Sequence, residues 1–113
     1  MIYQFEIWLA DLNPKIGSET GKTRPVLIVQ TNLLNEEEHT STIICPITTK
    51  VRNAPFIRVF LEKGSGGVFE DCDIMVDQIR TIDNSRFIKK IGKIPPTKQK
   101  QVVLYLKAVL DIE

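Results

Sequence analysis

A permanent positive charge at the end of a polar loop is the feature of this sequence best suited to chemistry. The segment from Asp11 to Glu19 is rich in turn-forming and charged residues, and apolar segments lie on both sides of it. Ordering such a loop costs conformational entropy, and loops of this kind often carry binding or catalytic side chains. Arg24 follows where the loop becomes a strand, directly before Pro25. A guanidinium is always charged and can hold two oxygens at once, so Arg24 is a candidate for binding a negatively charged group.

Apolar patterns predict the strands that position this loop. Residues 4–11 alternate between apolar and other side chains, which predicts a strand with one buried face. Residues 25–29 form a continuous apolar run, which is typical of a strand buried on both faces. Residues 41–49 predict a third strand. Within it Pro46 cannot donate a backbone hydrogen bond, so we expect an edge position or a bulge there.

The rest of the chain predicts further short strands and a terminal helix. A polar segment at 31–40 predicts a helical turn plus a loop, and strands are expected at 55–61, 73–79 and 87–94. Pro95 and Pro96 end the last strand, and Thr97 is expected to cap an amphipathic C-terminal helix. Short strands, glycine turns and one terminal helix predict a mainly β (α+β) fold, a small twisted barrel. At 113 residues we expect a single domain, residues 1–113.

The composition excludes several classes of protein. No segment approaches the roughly 20 apolar residues of a membrane span. The N-terminus lacks the basic and apolar regions of a signal peptide, so we expect a cytoplasmic protein without a membrane partner. Cys45 and Cys72 are too few for a zinc site and are expected as free, half-buried thiols. His39 is the only histidine and lacks partners for a transition metal, so no metal or other cofactor is expected.

The charge is small in total but unevenly placed. The net charge of +1 argues against a protein that holds nucleic acid by bulk electrostatics alone. Residues 84–110, however, contain seven basic residues and no acidic one. Such a stretch is either a solvated face or a docking surface for an anionic partner, RNA or an acidic peptide.

Several segments occur along the chain in one order and spacing: Ile7–Trp8 with Asp11–Pro14, Gly17–Glu19, Arg24–Ile28, Cys45–Thr49, Asp77–Asp83, and Gly92 with the terminal helix. Together they resemble the MazF/PemK/Kid family of toxin endoribonucleases over essentially the whole chain. Two positions depart from the family pattern. Phe5 stands where many members have glycine, and Met75 stands where the Kid branch has arginine. We therefore carry over the MazF-like residue pair and leave the Kid residue set aside.

The resemblance implies a sequence-selective, metal-independent endoribonuclease toxin that acts on single-stranded mRNA. It implies an SH3-like, CcdB/PemK-type twisted barrel and a homodimer. The catalytic arginine and threonine of the family match Arg24 and Thr48, and the loop glutamate that some members need matches Glu19. Residues expected to contact RNA are Asn13, Pro14, Ser18, Lys22, Thr49, Asp77, Gln78 and Arg80.

The residues also make chemical sense without the family. Attack of a ribose 2′-OH on the neighbouring phosphorus builds negative charge on the phosphoryl oxygens, which Arg24 can stabilise and Thr48 can orient. The general base is either Glu19 or Asp77, and the sequence does not decide between them. The structural alternatives are a surface ion pair between Arg24 and Glu19, and a purely β-forming role for Thr48.

A nuclease of this kind needs restraint, so we expect a small acidic antitoxin with a disordered tail. The residues expected to bind it are Trp8, Arg86, Lys89, Lys90 and Lys93. DNA would be bound only indirectly, through the complex with the antitoxin. Two other functions remain open from the sequence: a gyrase-poisoning toxin like the CcdB proteins, and a non-catalytic RNA-binding barrel.

Overall fold

The computed structural model describes residues 1–14, 17–18 and 22–113, and it contains an antiparallel sheet and a C-terminal helix. The strands of the described residues are β1 (Glu6–Asp11), β2 (Thr23–Ile28), β3 (Ser41–Thr48), β4 (Arg58–Leu61), β5 (Cys72–Met75), β6 (Arg80–Asp83) and β7 (Phe87–Lys93). The helices are α1 (Asn32–Glu36) and α2 (Pro96–Leu110). The strand order is β4-β5-β3-β2-β1-β7, and β6 pairs with β3. The predicted mainly β class with a terminal helix is confirmed.

Strand β3 changes its hydrogen-bonding partner along its length. One of its edges pairs with β2, while its other edge pairs first with β6 (residues 41–44) and then with β5 (residues 47–48). Pro46 lies between these two paired segments, in a strand with neighbours on both edges. The expectation of an edge position or a bulge at Pro46 holds only in part, because β3 is not an edge strand but Pro46 lies in the gap between the two segments that are paired along one of its edges. The missing N–H is tolerated because the strand changes partner there, as strands do at the corners of folded-over sheets.

The sheet buries side chains on both faces. One cluster includes Ile7, Leu27 and Ile47, and the other includes Ala10, Val26 and Ile28. Successive residues of β2 thus enter opposite clusters, which agrees with the prediction from its continuous apolar run. For β1 the expectation of one buried face is wrong, because Ile7 and Ala10 are both fully buried.

Phe5 has a backbone conformation that favours glycine. The backbone φ of Phe5 is +71°, in the left-handed region that residues other than glycine rarely adopt. Two backbone hydrogen bonds hold it there: its N–H donates to the carbonyl of Ile28 at 2.7 Å, and its carbonyl accepts from Ile94 at 3.1 Å. The ring packs against the first apolar cluster, which offsets the unfavourable backbone conformation.

The C-terminal half follows the predicted order with shorter elements. The expected strand at 73–79 ends at Met75 and continues as the 3₁₀ turn Val76–Gln78, and β6 was not predicted. Helix α2 begins at Pro96 with Pro95 as its N-cap, so Thr97 is not the cap. Val102 of α2 is buried, while Val103 remains 39% exposed and Leu110 50% exposed. Only part of the predicted apolar face therefore packs on the sheet.

A buried carboxylate ties β1 to β7. Glu6 is 4% exposed, and its Oε1 accepts hydrogen bonds from the Trp8 indole N–H at 3.0 Å and from the Tyr3 backbone N–H at 2.9 Å. Its Oε2 lies 2.7 Å from Nζ of Lys90 on β7. Burial alone raises the pKa of Glu6, but the contacts with Lys90, Trp8 and Tyr3 outweigh burial and leave the pKa below its usual value.

The lowered pKa of Glu6 predicts a pH-dependent contribution to stability. A depressed carboxylate pKa stabilises the fold above the unfolded value of about 4.3, and this contribution disappears as the pH falls through the folded value. Glu6→Gln should cost about 1–2 kcal/mol at pH 7, because charged hydrogen bonds are lost while Lys90 stays partly solvated. Urea unfolding at pH 7 and pH 3 measures both effects.

The exposed carboxylate Glu36 provides the control for this experiment. Glu36→Gln should lose stability with acidification as the wild type does, whereas Glu6→Gln should lose less. Equal acid sensitivity of Glu6→Gln and the wild type would show that Glu6 does not link pH to folding.

Candidate functional site

A pocket of about 270 Å³ joins the start of β2 to the end of β3. Its lining is Lys22, Thr23, Arg24, Pro25, Ile47, Thr48, Thr49 and Lys50, and we call it the anion pocket. Val26 pairs with Pro46 in an antiparallel ladder, and extending this register by two residues brings Arg24 opposite Thr48. The sheet thus brings together four of the residues predicted from the sequence: Lys22, Arg24, Thr48 and Thr49.

Arg24 is half-buried at the edge of this pocket. Its Nη1 donates to the carbonyl of Ile47 at 3.4 Å, which holds the guanidinium against β3. Burial lowers the pKa of Arg24, but arginine remains protonated in proteins at neutral pH. The pocket therefore contains a fixed, partly desolvated positive charge.

Thr48 is positioned by its own loop. Its Oγ1 accepts a hydrogen bond from the backbone N–H of Lys50 at 3.2 Å. Because this bond uses an oxygen lone pair, the hydroxyl keeps its proton for donation to another acceptor. The arrangement suits a hydroxyl that donates to an oxygen anion in the pocket.

The lining combines three basic side chains with three threonine hydroxyls. No carboxylate or histidine belongs to the lining among the residues that the structure describes. These side chains can bind an anion and stabilise developing negative charge, but they do not provide a general base. Glu19, one of the two predicted bases, lies outside the described residues.

Three predicted RNA-contacting residues lie elsewhere. Asp77 is exposed and Gln78 half-buried in the 3₁₀ turn after β5, and Arg80 begins β6. None of the three belongs to the lining of the anion pocket. The second predicted base, Asp77, is therefore outside that lining as well.

The loop that leads into the pocket is held at its base by hydrogen bonds. Asn13 accepts from the backbone N–H of Lys22 at 2.8 Å through its side-chain oxygen. Arg86 donates through Nη1 to the carbonyls of Asp11 at 2.9 Å and Asn13 at 2.6 Å. Pro14 and Ser18, the other predicted contacts in this loop, are exposed. Arg86, predicted as an antitoxin contact, thus has a structural function at the loop.

The other predicted antitoxin contacts divide into two groups. Lys90 and Trp8 both bind Glu6, and the Trp8 ring packs edge-on against Phe87 with centroids 5.9 Å apart. Lys89 and Lys93 are exposed on β7, which ends the strand order. The structure therefore leaves Lys89 and Lys93 as the side chains of this set that are best presented to a partner.

A buried ion pair supports the loop after Thr48, and the sequence analysis missed it. Asp73 is 1% exposed and pairs with Thr48 across β3 and β5. Its Oδ2 accepts from the Arg52 backbone N–H at 2.9 Å and lies 3.3 Å from Nη1 of Arg58. The same Nη1 donates to the carbonyl of Lys50 at 3.2 Å. The available signal was a carboxylate inside the otherwise apolar segment 72–76.

The two cysteine thiols are buried and unreactive at neutral pH. Cys45 and Cys72 are free and buried, so the expectation of half-buried thiols is wrong. Burial, followed by the charge of Asp77, raises the pKa of Cys45 to about 12. Burial, followed by neighbouring carboxylates, raises the pKa of Cys72 to about 11. Both thiols are protonated at neutral pH and do not act as nucleophiles.

Comparison with known proteins assigns the family. Residues 3–110 match the family described as PemK-like, MazF-like toxin of type II toxin-antitoxin system. The chain belongs to this family. It is 35% identical over 103 residues to the Endoribonuclease MazF of Staphylococcus saprophyticus, covering 90% of this chain and 85% of that protein.

Solved structures share the fold. MazF from Deinococcus radiodurans superposes with a TM-score of 0.84 at 23% identity, covering 98% of this chain and 97% of the other. A mycobacterial endoribonuclease, solved in complex with its cognate antitoxin, has a TM-score of 0.80 at 18% identity. That match covers 100% of this chain and 98% of the other. These similarities extend the family fold to this chain.

No group of three or more His, Cys, Asp or Glu side chains is placed to hold a metal ion in the part of the chain that the structure describes. No helix among the described residues has the length and apolar character needed to cross a membrane.

The Arg58–Asp73 pair yields a prediction about coupling. Asp73→Ala should destabilise the protein by about 3–5 kcal/mol, because it leaves the Arg58 charge buried without its partner. Replacing both residues with leucine should be less destabilising than Asp73→Ala, because no charge then remains buried. Urea unfolding of the two single leucine variants and the double variant measures the coupling. Additive losses would show that the two side chains act independently.

Proposed function

We propose that this protein is an endoribonuclease toxin that cleaves single-stranded mRNA at selected sequences without a metal ion. The observation that carries the proposal is the anion pocket, in which Arg24 and Thr48 meet at the end of two paired strands. Membership of the MazF-like toxin family and the 35% identity to a protein named Endoribonuclease MazF support it. We propose that residues 1–113 form a single toxin domain of this family.

The pocket chemistry suits cleavage by the RNA's own 2′-OH. That oxygen attacks the adjacent phosphorus, the bond to the 5′-oxygen of the next nucleotide breaks, and negative charge gathers on the non-bridging oxygens. Arg24 stabilises this charge through its guanidinium, and Thr48 donates to one of the oxygens. Lys22 and Lys50 add positive charge that attracts the RNA backbone.

We propose that the general base comes from the loop between β1 and β2, because the described lining of the anion pocket contains no carboxylate. Asp77 lies outside the lining of the anion pocket, whereas Glu19 precedes Lys22, a lining residue, by three positions in the sequence. We therefore favour Glu19 over Asp77 as the base that accepts the 2′-OH proton.

The proposed partners are an antitoxin and a second copy of the chain. Family membership and a structural relative solved with its cognate antitoxin support the first. We propose an acidic antitoxin that binds along β7 and reaches the anion pocket, where its carboxylates take the place of phosphates. We propose that the protein acts as a homodimer in the cytoplasm and that it contacts DNA only through the antitoxin complex.

The catalytic proposal predicts cleavage in a chelator. The purified protein should cut a long unstructured RNA into discrete fragments in the presence of EDTA. Arg24→Ala should keep the fold and lower the cleavage rate about 10²–10³-fold, because the transition state loses a charged donor. Arg24→Lys should restore little of the cleavage rate, because an ammonium group cannot form the bidentate hydrogen bonds of a guanidinium.

Lys107→Ala, which removes an exposed charge from α2, is the matched control and should cleave as the wild type does. Circular dichroism shows that each variant is folded. Wild-type cleavage by folded Arg24→Ala would overturn the proposed role of the arginine. Cleavage that stops in EDTA and returns with Mg²⁺ would overturn metal independence.

The antitoxin proposal predicts which charges steer association. The double variant Lys89→Glu/Lys93→Glu should slow association with an acidic antitoxin about tenfold at low salt, and much less at high salt. Lys90 is left unchanged because it pairs with buried Glu6. Stopped-flow or surface-based kinetics measure the association rate.

The control is Lys100→Glu/Lys107→Glu, which makes the same change of net charge on α2. It should slow association less than the β7 variant does. Equal slowing by the two variants would show that only the net charge matters and would remove β7 as the docking surface.

A further inference from the structure

A second pocket of about 270 Å³ adjoins the anion pocket. The two pockets share Pro25, Ile47 and Thr49. The rest of the second lining is Val68, Phe69, Glu70, Cys72 and Ile91. One pocket is therefore cationic and polar, and its neighbour is mainly apolar with one carboxylate.

Among the described residues, Phe69 is the most exposed of the large apolar side chains. It is 85% exposed, although the neighbouring lining residues Val68 and Cys72 are 6% and 2% exposed. A phenyl ring that is presented to water at the rim of an apolar pocket is typical of a binding surface.

The loop that carries Phe69 is fixed in place. The backbone N–H of Gly64 donates to the carbonyl of Val68 at 2.8 Å, and the N–H of Lys63 donates to Oδ1 of Asp71 at 2.8 Å. The loop also packs closely on β7. A Cβ on Gly67, whose φ is +87°, would lie 2.7 Å from the carbonyl oxygen of Ile91. The backbone that carries Phe69 is therefore held in a defined position, so binding at this ring needs little ordering of the loop.

We propose that the second pocket, which we call the base pocket, binds one nucleobase of the RNA next to the phosphate in the anion pocket. This inference rests on the proposed function. Single-stranded RNA is recognised by splayed bases that stack on aromatic rings and pair through their edges. A shared wall between a cationic pocket and an apolar pocket matches the two chemical parts of one nucleotide.

Glu70 sets the kind of base. A carboxylate accepts hydrogen bonds and repels phosphate, so it selects bases that present N–H groups on the Watson–Crick edge. Guanine offers two neighbouring donors to one carboxylate, while adenine and cytosine each offer an amino group. The base pocket should therefore favour guanine and disfavour uracil, whose edge is mainly acceptors.

The first test concerns stacking. Phe69→Ala, Phe69→Trp and the wild type are compared on a pool of single-stranded RNAs that vary at the positions beside the cleavage site. Phe69→Ala should raise KM about tenfold and flatten the base preference, with a smaller effect on kcat, because one stacked base is lost. Phe69→Trp should restore both KM and preference. Leu33→Ala, at a residue of α1 that is 77% exposed, is the control and should match the wild type.

The second test concerns base identity. Glu70→Gln should lower the preference for guanine about tenfold, because the carboxamide cannot accept two N–H donors with a full negative charge. Glu62→Gln, an exposed carboxylate outside the lining of the base pocket, should leave the cleavage profile unchanged.

A binding measurement separates the base pocket from catalysis. An RNA with 2′-O-methyl groups and 2-aminopurine beside the scissile position should show quenched fluorescence with the wild type and with Arg24→Ala. The quench should be lost with Phe69→Ala. An unchanged KM, profile and quench in Phe69→Ala would overturn the base pocket while leaving the nuclease intact.

Two other occupants of the pocket are distinguishable. If Phe69→Ala weakens self-association in sedimentation and keeps the cleavage profile, the pocket is a contact between copies and the proposal is overturned. If it weakens antitoxin binding alone, the pocket holds an antitoxin side chain and the proposal is again overturned. A wild-type protein that cleaves no RNA would overturn the proposed function itself.

Discussion

The partner change along β3 is the constraint on which the candidate site depends. Its first half pairs with β6 and its last two residues pair with β5, while β2 runs along its other edge. The end of β3 therefore lies between β2, whose second residue is Arg24, and β5, which carries Asp73. Thr48 shares the anion pocket with Arg24 of β2, and it is the register partner of Asp73 on β5. No local property of the segment 41–48 requires this arrangement.

Charged residues in this protein serve folding as much as recognition. Glu6, Asp73 and Arg86 each hold backbone or side chains of neighbouring segments through several hydrogen bonds. Such contacts cost desolvation, and their geometry is what makes them favourable. The contacts of Asp73 and Arg86 hold the segments next to the anion pocket in position, which matters because stabilisation of a transition state depends on groups that are already oriented.

The anion pocket and the base pocket together describe how the chain can combine general and specific recognition. In the proposed complex, the cationic pocket binds the phosphate that every nucleotide has, which provides affinity without sequence information. The apolar pocket, with Phe69 and Glu70 in its lining, is the proposed site for the base, the part of the nucleotide that differs. The two pockets share Pro25, Ile47 and Thr49, so a base in one pocket would keep its phosphate near Arg24.

Local patterns in the sequence were sufficient to predict most of the strands and the terminal helix. The continuous apolar run 25–29 required a strand buried on both faces, and the apolar spacing after Pro96 required a terminal helix. These features depend on neighbours along the chain, and the physics that determines them is local. The pairing of Arg24 with Thr48 was reached through family resemblance, and neither residue type alone requires it.

The tertiary structure decided what each charge and each strand edge contacts. The sequence marked Lys90 and Arg86 as surface cations, but the fold uses one to neutralise Glu6 and the other to hold Asp11 and Asn13. Pro46 suggested an edge, yet it lies where a central strand exchanges partners. The pair of Arg58 and Asp73, 15 residues apart in sequence, became visible only once β4 and β5 were aligned. These outcomes depend on register and on long-range pairing, which composition and periodicity do not encode.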